Sequence, residues 1–317
     1  MSPNFSRRGF LMGALAVGTS PTVCGHAAGA DQPGIQPQPG SDKLTAYPFG
    51  PQIWIRWADA PVTCYRAHPT QKYPYFYPLS GPISGLSLTT ESGSSYPHHR
   101  SLLFACDRVN GGNYWQGDVA AGQIISSGPK LGACTPESAE ILDECQWHKP
   151  GEAAVMRDRR QFNISIAGPR LRILDASITW TAVVDTTVLK TNHSLFALRA
   201  ARDITPWGGG TLVNSNGQEG EKATFGQGAA WCAYFGKRQV NPGVVEGIAL
   251  LDHPSNPWAP SKWFTRDYGF ISPTPMNFLD KSWELAAGQS VSLKYRVLLF
   301  AGDPKEAEIE RIYREWC

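Results

Sequence analysis

The chain has 317 residues, a formal net charge of +2 and only 18% charged residues. No long basic run is present, which argues against nucleic acid or an anionic membrane surface as a partner. Gly and Pro recur along the whole chain with Trp, Tyr and Phe between them, and helical periodicity is nearly absent, so the composition points away from a helical fold.

The N-terminus reads Ser6-Arg7-Arg8-Gly9-Phe10-Leu11-Met12, a paired arginine followed by bulky apolar residues. A short apolar stretch over 10–18 and a small-residue exit over 25–30 complete a twin-arginine signal peptide, expected to span 1–30. The apolar stretch is too short for a membrane span, which takes about 20 residues. Periplasmic or secreted localisation is therefore expected. Twin-arginine export carries folded proteins, which is compatible with a cofactor but does not require one. Residues 31–45 are rich in Pro, Gly and Gln and read as a flexible lead-in. Residues 46–317 are expected to form the folded domain.

The first strand is Ile53-Trp54-Ile55-Arg56-Trp57, turned by Ala58-Asp59-Ala60-Pro61 into Val62-Thr63-Cys64-Tyr65-Arg66 as a hairpin. Next comes Tyr96-Pro97-His98-His99-Arg100. Adjacent histidines on a strand point to opposite faces, whereas in a turn both can serve one site. Histidine is the commonest general acid–base and the commonest metal ligand. The segment Asn110-Gly111-Gly112-Asn113-Tyr114-Trp115 pairs amides with aromatic rings, a composition suited to a sugar surface and equally to a turn above a core Trp.

Six cysteines remain beyond the signal, without a CxxC pair; Cys134 and Cys145 are spaced to close a short loop by a disulfide or to remain buried thiols. Strand patterns follow over 160–166, 171–180 and 182–188. An apolar run over 247–251 ends in Asp252-His253-Pro254-Ser255-Asn256-Pro257, where Asp252 would orient His253. Trp263-Phe264-Thr265-Arg266-Asp267-Tyr268-Gly269 lies just beyond. Residues 291–300 make a long strand, and 305–316 is the one helical pattern, with Ile309, Ile312, Tyr313 and Trp316 on one face. Many strands with turns at short intervals predict an all-β, antiparallel β-sandwich closed by a short C-terminal helix. No carboxylate pair, Gly-x-Ser-x-Gly elbow or His-Glu-x-x-His motif stands out.

Several motifs occur in an order that resembles the DUF6807 family, which also carries a methane-oxygenase label. They are the hairpin ending at Tyr65; Tyr75-Phe76-Tyr77-Pro78-Leu79-Ser80-Gly81-Pro82; Pro97-His98-His99-Arg100; the run 109–115; Trp231 followed by Lys237-Arg238; and Asp252 to Pro257 with Trp263 and Arg266 downstream. The resemblance covers roughly 53–302. Many members read Asp-His-Pro-His-His-Arg-Gly, where this chain has Ser95-Tyr96 before Pro97 and Ser101 after Arg100, so an Asp and a His found there are missing. The resemblance implies a soluble β-sandwich that accompanies sugar-oxidising and sugar-degrading enzymes.

The function expected first is a hydrolase or lyase acting on a glycoside or an oxidised (keto) sugar. His98, His99, Arg100, Asp252, His253 and Arg266 would be catalytic. Asn110, Asn113, Tyr114, Trp115, Lys237, Asn256 and Trp263 would bind a sugar or oligosaccharide. The alternatives are a non-catalytic sugar-binding module stacking on Trp115, Trp258 and Trp263, and a metal-dependent oxygenase using His98, His99 and His253. No cofactor is required by the motifs, although the histidines leave room for a divalent metal.

Overall fold

The computed structural model describes residues 43–317 apart from Ser94, so the expected signal (1–30) and most of the lead-in (31–45) lie outside the described residues. The end of that lead-in is ordered differently from expectation. Leu44 and Thr45 already belong to a strand, Leu44–Pro48, paired with Gln52–Trp57.

Two large sheets dominate. One has eight strands in the spatial order Leu44–Pro48, Gln52–Trp57, Ala60–Arg66, Tyr75–Leu79, Leu102–Cys106, Ser194–Arg199, Phe270–Pro273 and Trp263–Arg266. The other runs Thr211–Asn214, Trp231–Arg238, Asn241–Asp252, Ser290–Ala301, Leu171–Ala182, Met156–Ile166, Ser138–His148 and Gln123–Ser126, with Lys130–Cys134 also on Ser138–His148. The pairings in both are antiparallel. Strand period drives this arrangement: along Met156–Ile166, Met156, Asp158, Arg160, Phe162 and Ile164 are buried and the residues between them are mostly exposed. The expected hairpin forms with Ala58 and Asp59 both at positive φ, +45° and +62°, as the favoured two-residue turn requires.

The sheets pack face to face. Tyr65 and Phe76 of the first meet Phe162 of the second at 5.4 and 4.8 Å between ring centroids. Phe104 meets Trp147 and Trp180, and Phe196 stacks on Tyr295 at 4.9 Å. Each buried aromatic contributes roughly 2–3 kcal/mol. Several buried polar groups at this interface pair with one another: Tyr65 donates to Asp143 at 2.7 Å, and the buried Arg160–Asp158 pair also takes the Trp147 indole N–H. Cys145 is a free, buried thiol 3.4 Å from the Asp143 carboxylate, so of the two alternatives for Cys134 and Cys145 the bridge is not the one formed.

The C-terminal helix spans Ile309–Trp316, shorter than the 305–316 pattern because 304–308 is a turn. The Asp303 carboxylate accepts the backbone N–H groups of Lys305 and Glu306 there. Ile309 and Ile312 are buried in the cluster formed by Trp231, Leu298 and Phe300, on the outer side of the second sheet. No helix of the described residues is long and apolar enough to cross a membrane.

Candidate functional site

The orientation of one strand decides where the chemistry gathers. Phe196 faces the other sheet, through Tyr295. Arg199, three residues on, therefore projects from the outer face of the eight-stranded sheet. Its register partner Phe270 projects the same way. The connection between Tyr75–Leu79 and Leu102–Cys106 crosses this outer face and lays His99 on Phe270, ring on ring at 4.0 Å.

Pro97 and His98 lie in a turn, closed by the His99 N–H donating to the Tyr96 carbonyl at 3.0 Å. A turn puts both histidines on one side, and their rings are 4.4 Å apart. A third imidazole, His193, comes from the residue before Ser194–Arg199 and lies 5.3 Å from His98 and 5.7 Å from His99. One ring nitrogen of each histidine lies within 4.8 Å of the others. The backbone is strained beside both contributors: Ser101 has φ +32° and Leu195 has φ +64°, a conformation that a bulky residue rarely adopts.

His99 is only 3% exposed, and neither of its ring nitrogens has a hydrogen-bond partner. Leaving such a group unpaired costs about 1–3 kcal/mol. Other buried polar atoms nearby also lack a hydrogen-bond partner: Nε and Nη1 of Arg199 and the Trp115 indole N–H. Arg199 has no carboxylate partner among the described residues, and its guanidinium sits 4.5 Å from the Tyr268 ring centre. Burial pushes the His99 imidazole down to about 2, helped by His98, His193, Arg199 and Arg266. Burial likewise takes His193 to about 4, with help from His98 and Arg108, and lowers His98. All three imidazoles are therefore neutral at pH 7. An aromatic rim borders them: Tyr96 stacks on Tyr268 at 4.8 Å and on His99 at 5.3 Å, and Trp207 meets Tyr268 edge-on. Tyr96 is 38% exposed and Trp207 63%.

The other expected site residues have different fates. Asp252 does not orient His253. Its buried carboxylate accepts from the Asn256 side chain at 2.7 Å and from the Ser261 N–H at 3.0 Å, and Asn256 is spent on that bond and on the Lys294 backbone. His253 packs edge-on against Trp316 of the helix and accepts from Ser255. The reason is strand alternation: at the end of Asn241–Asp252 the acid points into the core and the next residue points out. This corner also lies beside Ser261 and Trp263, at the opposite end of the Trp263–Arg266/Phe270–Pro273 hairpin from Tyr268.

Arg100 turns away from the histidines to Tyr75, beside Glu91 and Arg66. Arg266 is held by Glu221 at 2.9 Å and stacked between Phe225 and Phe264, though its charge still reaches His99. Trp115 and Trp263 are fully buried and cannot be stacking platforms, and Tyr114 packs on Trp147. Asn110 and Gly111 form a positive-φ turn in which Asn110 pins the backbone of Asp185 and Thr187; Asn113 accepts from the N–H groups of Trp115 and Gln116. Lys237 is exposed on Trp231–Arg238, in the other sheet. His193, Arg199, Asp107 and Trp207 escaped the sequence reading; His193, Arg199 and Trp207 are lone residues far from the histidine pair, and Asp107 only follows an apolar strand run. Tyr96 and Tyr268 stand inside segments it singled out.

The model of the family of unknown function DUF6807 matches residues 52–314. The chain belongs to the DUF6807 family. Both histidine-bearing segments of the outer-face cluster, the Asp252 corner and the C-terminal helix up to residue 314 lie within this DUF6807 region. No curated protein matches the sequence. Among solved structures, a galactose mutarotase related enzyme from Lactobacillus acidophilus is similar at 7% identity over 85% of this chain and 97% of that chain, with a TM-score of 0.32. A polysaccharide lyase is similar at 12% identity over 76% of this chain, with a TM-score of 0.32; this chain spans about a third of it, 32%. Likeness this distant carries no chemistry across to the DUF6807 chain.

Proposed function

We propose that this protein is an exported carbohydrate-active enzyme, a lyase or hydrolase acting on an oxidised sugar, and that it works at the outer-face cluster of His98, His99 and His193. The observation that carries the reading is His99, a buried imidazole with both nitrogens unpaired beside an unpaired Arg199. A protein tolerates such orphaned polar groups where a ligand completes them. The exposed rings of Tyr96 and Trp207, backed by Tyr268, offer a sugar ring an apolar face to stack on. Arg199 has no carboxylate partner among the described residues, so it suits a carbonyl or carboxylate oxygen of an oxidised sugar.

In the lyase form, Arg199 holds that oxygen while the proton on the adjacent carbon is removed. The electron pair shifts towards the oxygen, which Arg199 stabilises as an oxyanion, and then expels the glycosidic oxygen, which leaves with a proton. His99 and His193 bind protons too weakly to act as bases near neutral pH. The proton is taken at the mouth of the cluster, by His98 or by a water held there. The binding-module alternative loses support, because two of its three stacking tryptophans are buried.

The test is a screen of the mature protein against glycosides, glycuronides and 3-keto glycosides, with and without chelator. Turnover that His98→Ala abolishes supports the reading; turnover indifferent to it would end it. Export is tested separately: replacing Arg7-Arg8 with Lys-Lys should hold the precursor in the cytoplasm, and unimpaired export would refute the twin-arginine assignment.

A further inference from the structure

We propose that His98, His99 and His193 bind one divalent first-row transition metal ion, of the zinc or iron(II) class, through three imidazole ligands. The sequence pairs only His98 with His99; the fold supplies the third ligand from the far side of the Leu102–Cys106/Ser194–Arg199 pair. The ligating nitrogens already lie within 4.8 Å of one another. A tetrahedral ion with bonds of about 2.05 Å wants nitrogens about 3.3 Å apart, so small side-chain rotations would close the site. Three protein ligands leave at least one coordination position open, the pattern of a catalytic rather than a structural site.

A second, independent observation points the same way. His99 is 3% exposed, with both nitrogens unpaired between Tyr96 and Phe270. A phenylalanine would fill that stack without stranding two polar atoms, so packing alone gives no reason for an imidazole there. Metal ligation gives one. Asp107 completes the pattern. Its Oδ2 is 4.0 Å from Nδ1 of His193, and its Oδ1 is 3.5 Å from Nε of Arg108. A carboxylate behind a ligating imidazole fixes the ring and adds negative charge towards the ion. Three imidazoles favour zinc, iron, cobalt, nickel or copper over magnesium or calcium, which take oxygen ligands.

A water on such an ion ionises near pH 7 and would be the proton acceptor proposed above. Only that role rests on the sugar reading; the site itself does not.

The experiment uses the full mature chain, stripped with chelator and titrated with Co²⁺ and Zn²⁺. One ion per chain should bind, with Co²⁺ giving a visible absorption band and Zn²⁺ raising the melting temperature. His193→Ala should abolish the band, Asp107→Asn should weaken binding about 10- to 100-fold, and His253→Ala should leave it unchanged. Circular dichroism checks that each variant folds; should His193→Ala not fold, His98→Ala replaces it. Absence of a stoichiometric site in the folded wild type, or a site that survives loss of His193 or His98, would overturn the proposal. Sugar turnover that persists undiminished in the stripped protein would overturn the ion's role as source of the proton acceptor and leave the carbohydrate reading standing.

Discussion

The outer-face cluster and the Asp252 corner both set histidine close to proline, aromatic rings and a carboxylate, yet they treat their polar groups in opposite ways. At the corner, the Asp252 carboxylate, the Asn256 amide and the His253 ring all find partners within a few residues or on the neighbouring strand. In the cluster, His99, Arg199 and Trp115 keep buried polar atoms without a hydrogen-bond partner. The backbone beside the cluster is also strained, at Ser101 and Leu195. Folding alone would select the first arrangement and eliminate the second. A satisfied acid–imidazole neighbourhood is structural, whereas an unsatisfied one held in place by strain marks where a ligand belongs.

This contrast is broken or sharpened by substitution. The largest effect expected is at His98: alanine should lower turnover by about 10²- to 10⁴-fold while moving the melting temperature by only a few degrees. Steady-state kinetics on whichever oxidised sugar turns over, beside a thermal melt, checks this. Arg199→Met should follow, with kcat down by about 10²- to 10³-fold through loss of the oxyanion donor and partial recovery in Arg199→Lys.

Acid should act next. His193 and His99 hold their protons less tightly when folded, at about 4 and about 2, than at the ordinary 6.5. The unfolded chain therefore binds more protons below pH 6.5, and stability falls as pH drops. Urea midpoints should show a loss of about 3 kcal/mol from His193 alone between pH 6.5 and 4, which His193→Asn should remove. The smallest effects belong to the corner. Asp252→Ala should cost about 1–3 kcal/mol by unpairing Asn256 and the Ser261 N–H, with turnover per folded molecule unchanged, and His253→Ala should cost less than Asp252→Ala. Loss of turnover in a folded His253→Ala would reverse the assignment of the two regions.

The sandwich was legible because strand alternation is a local signal: 53–57, 62–66 and 291–300 all lie in strands. The helix face was legible for the same reason, through Ile309 and Ile312. The histidine pair stood out because Pro97 and its neighbours mark a turn. His193 and Arg199 could not be read, since what joins them to His99 is the order of strands in the sheet, which brings Ser194–Arg199 between Leu102–Cys106 and Phe270–Pro273. The Asp252–His253 pairing failed for the opposite reason. Adjacency in sequence was read as contact, but at a strand end adjacent side chains diverge. Asn110 and Trp115 show a third limit, because a turn over a core tryptophan and a sugar surface share one composition.

The most direct test needs no turnover. Mature protein labelled with ¹⁵N in its histidine rings is titrated with a glycuronide and a 3-keto glycoside, and the histidines are followed one by one by NMR. The account predicts that the rings of His98, His99 and His193 shift together while His253 stays still. A shift at His253 with the cluster unmoved would contradict it.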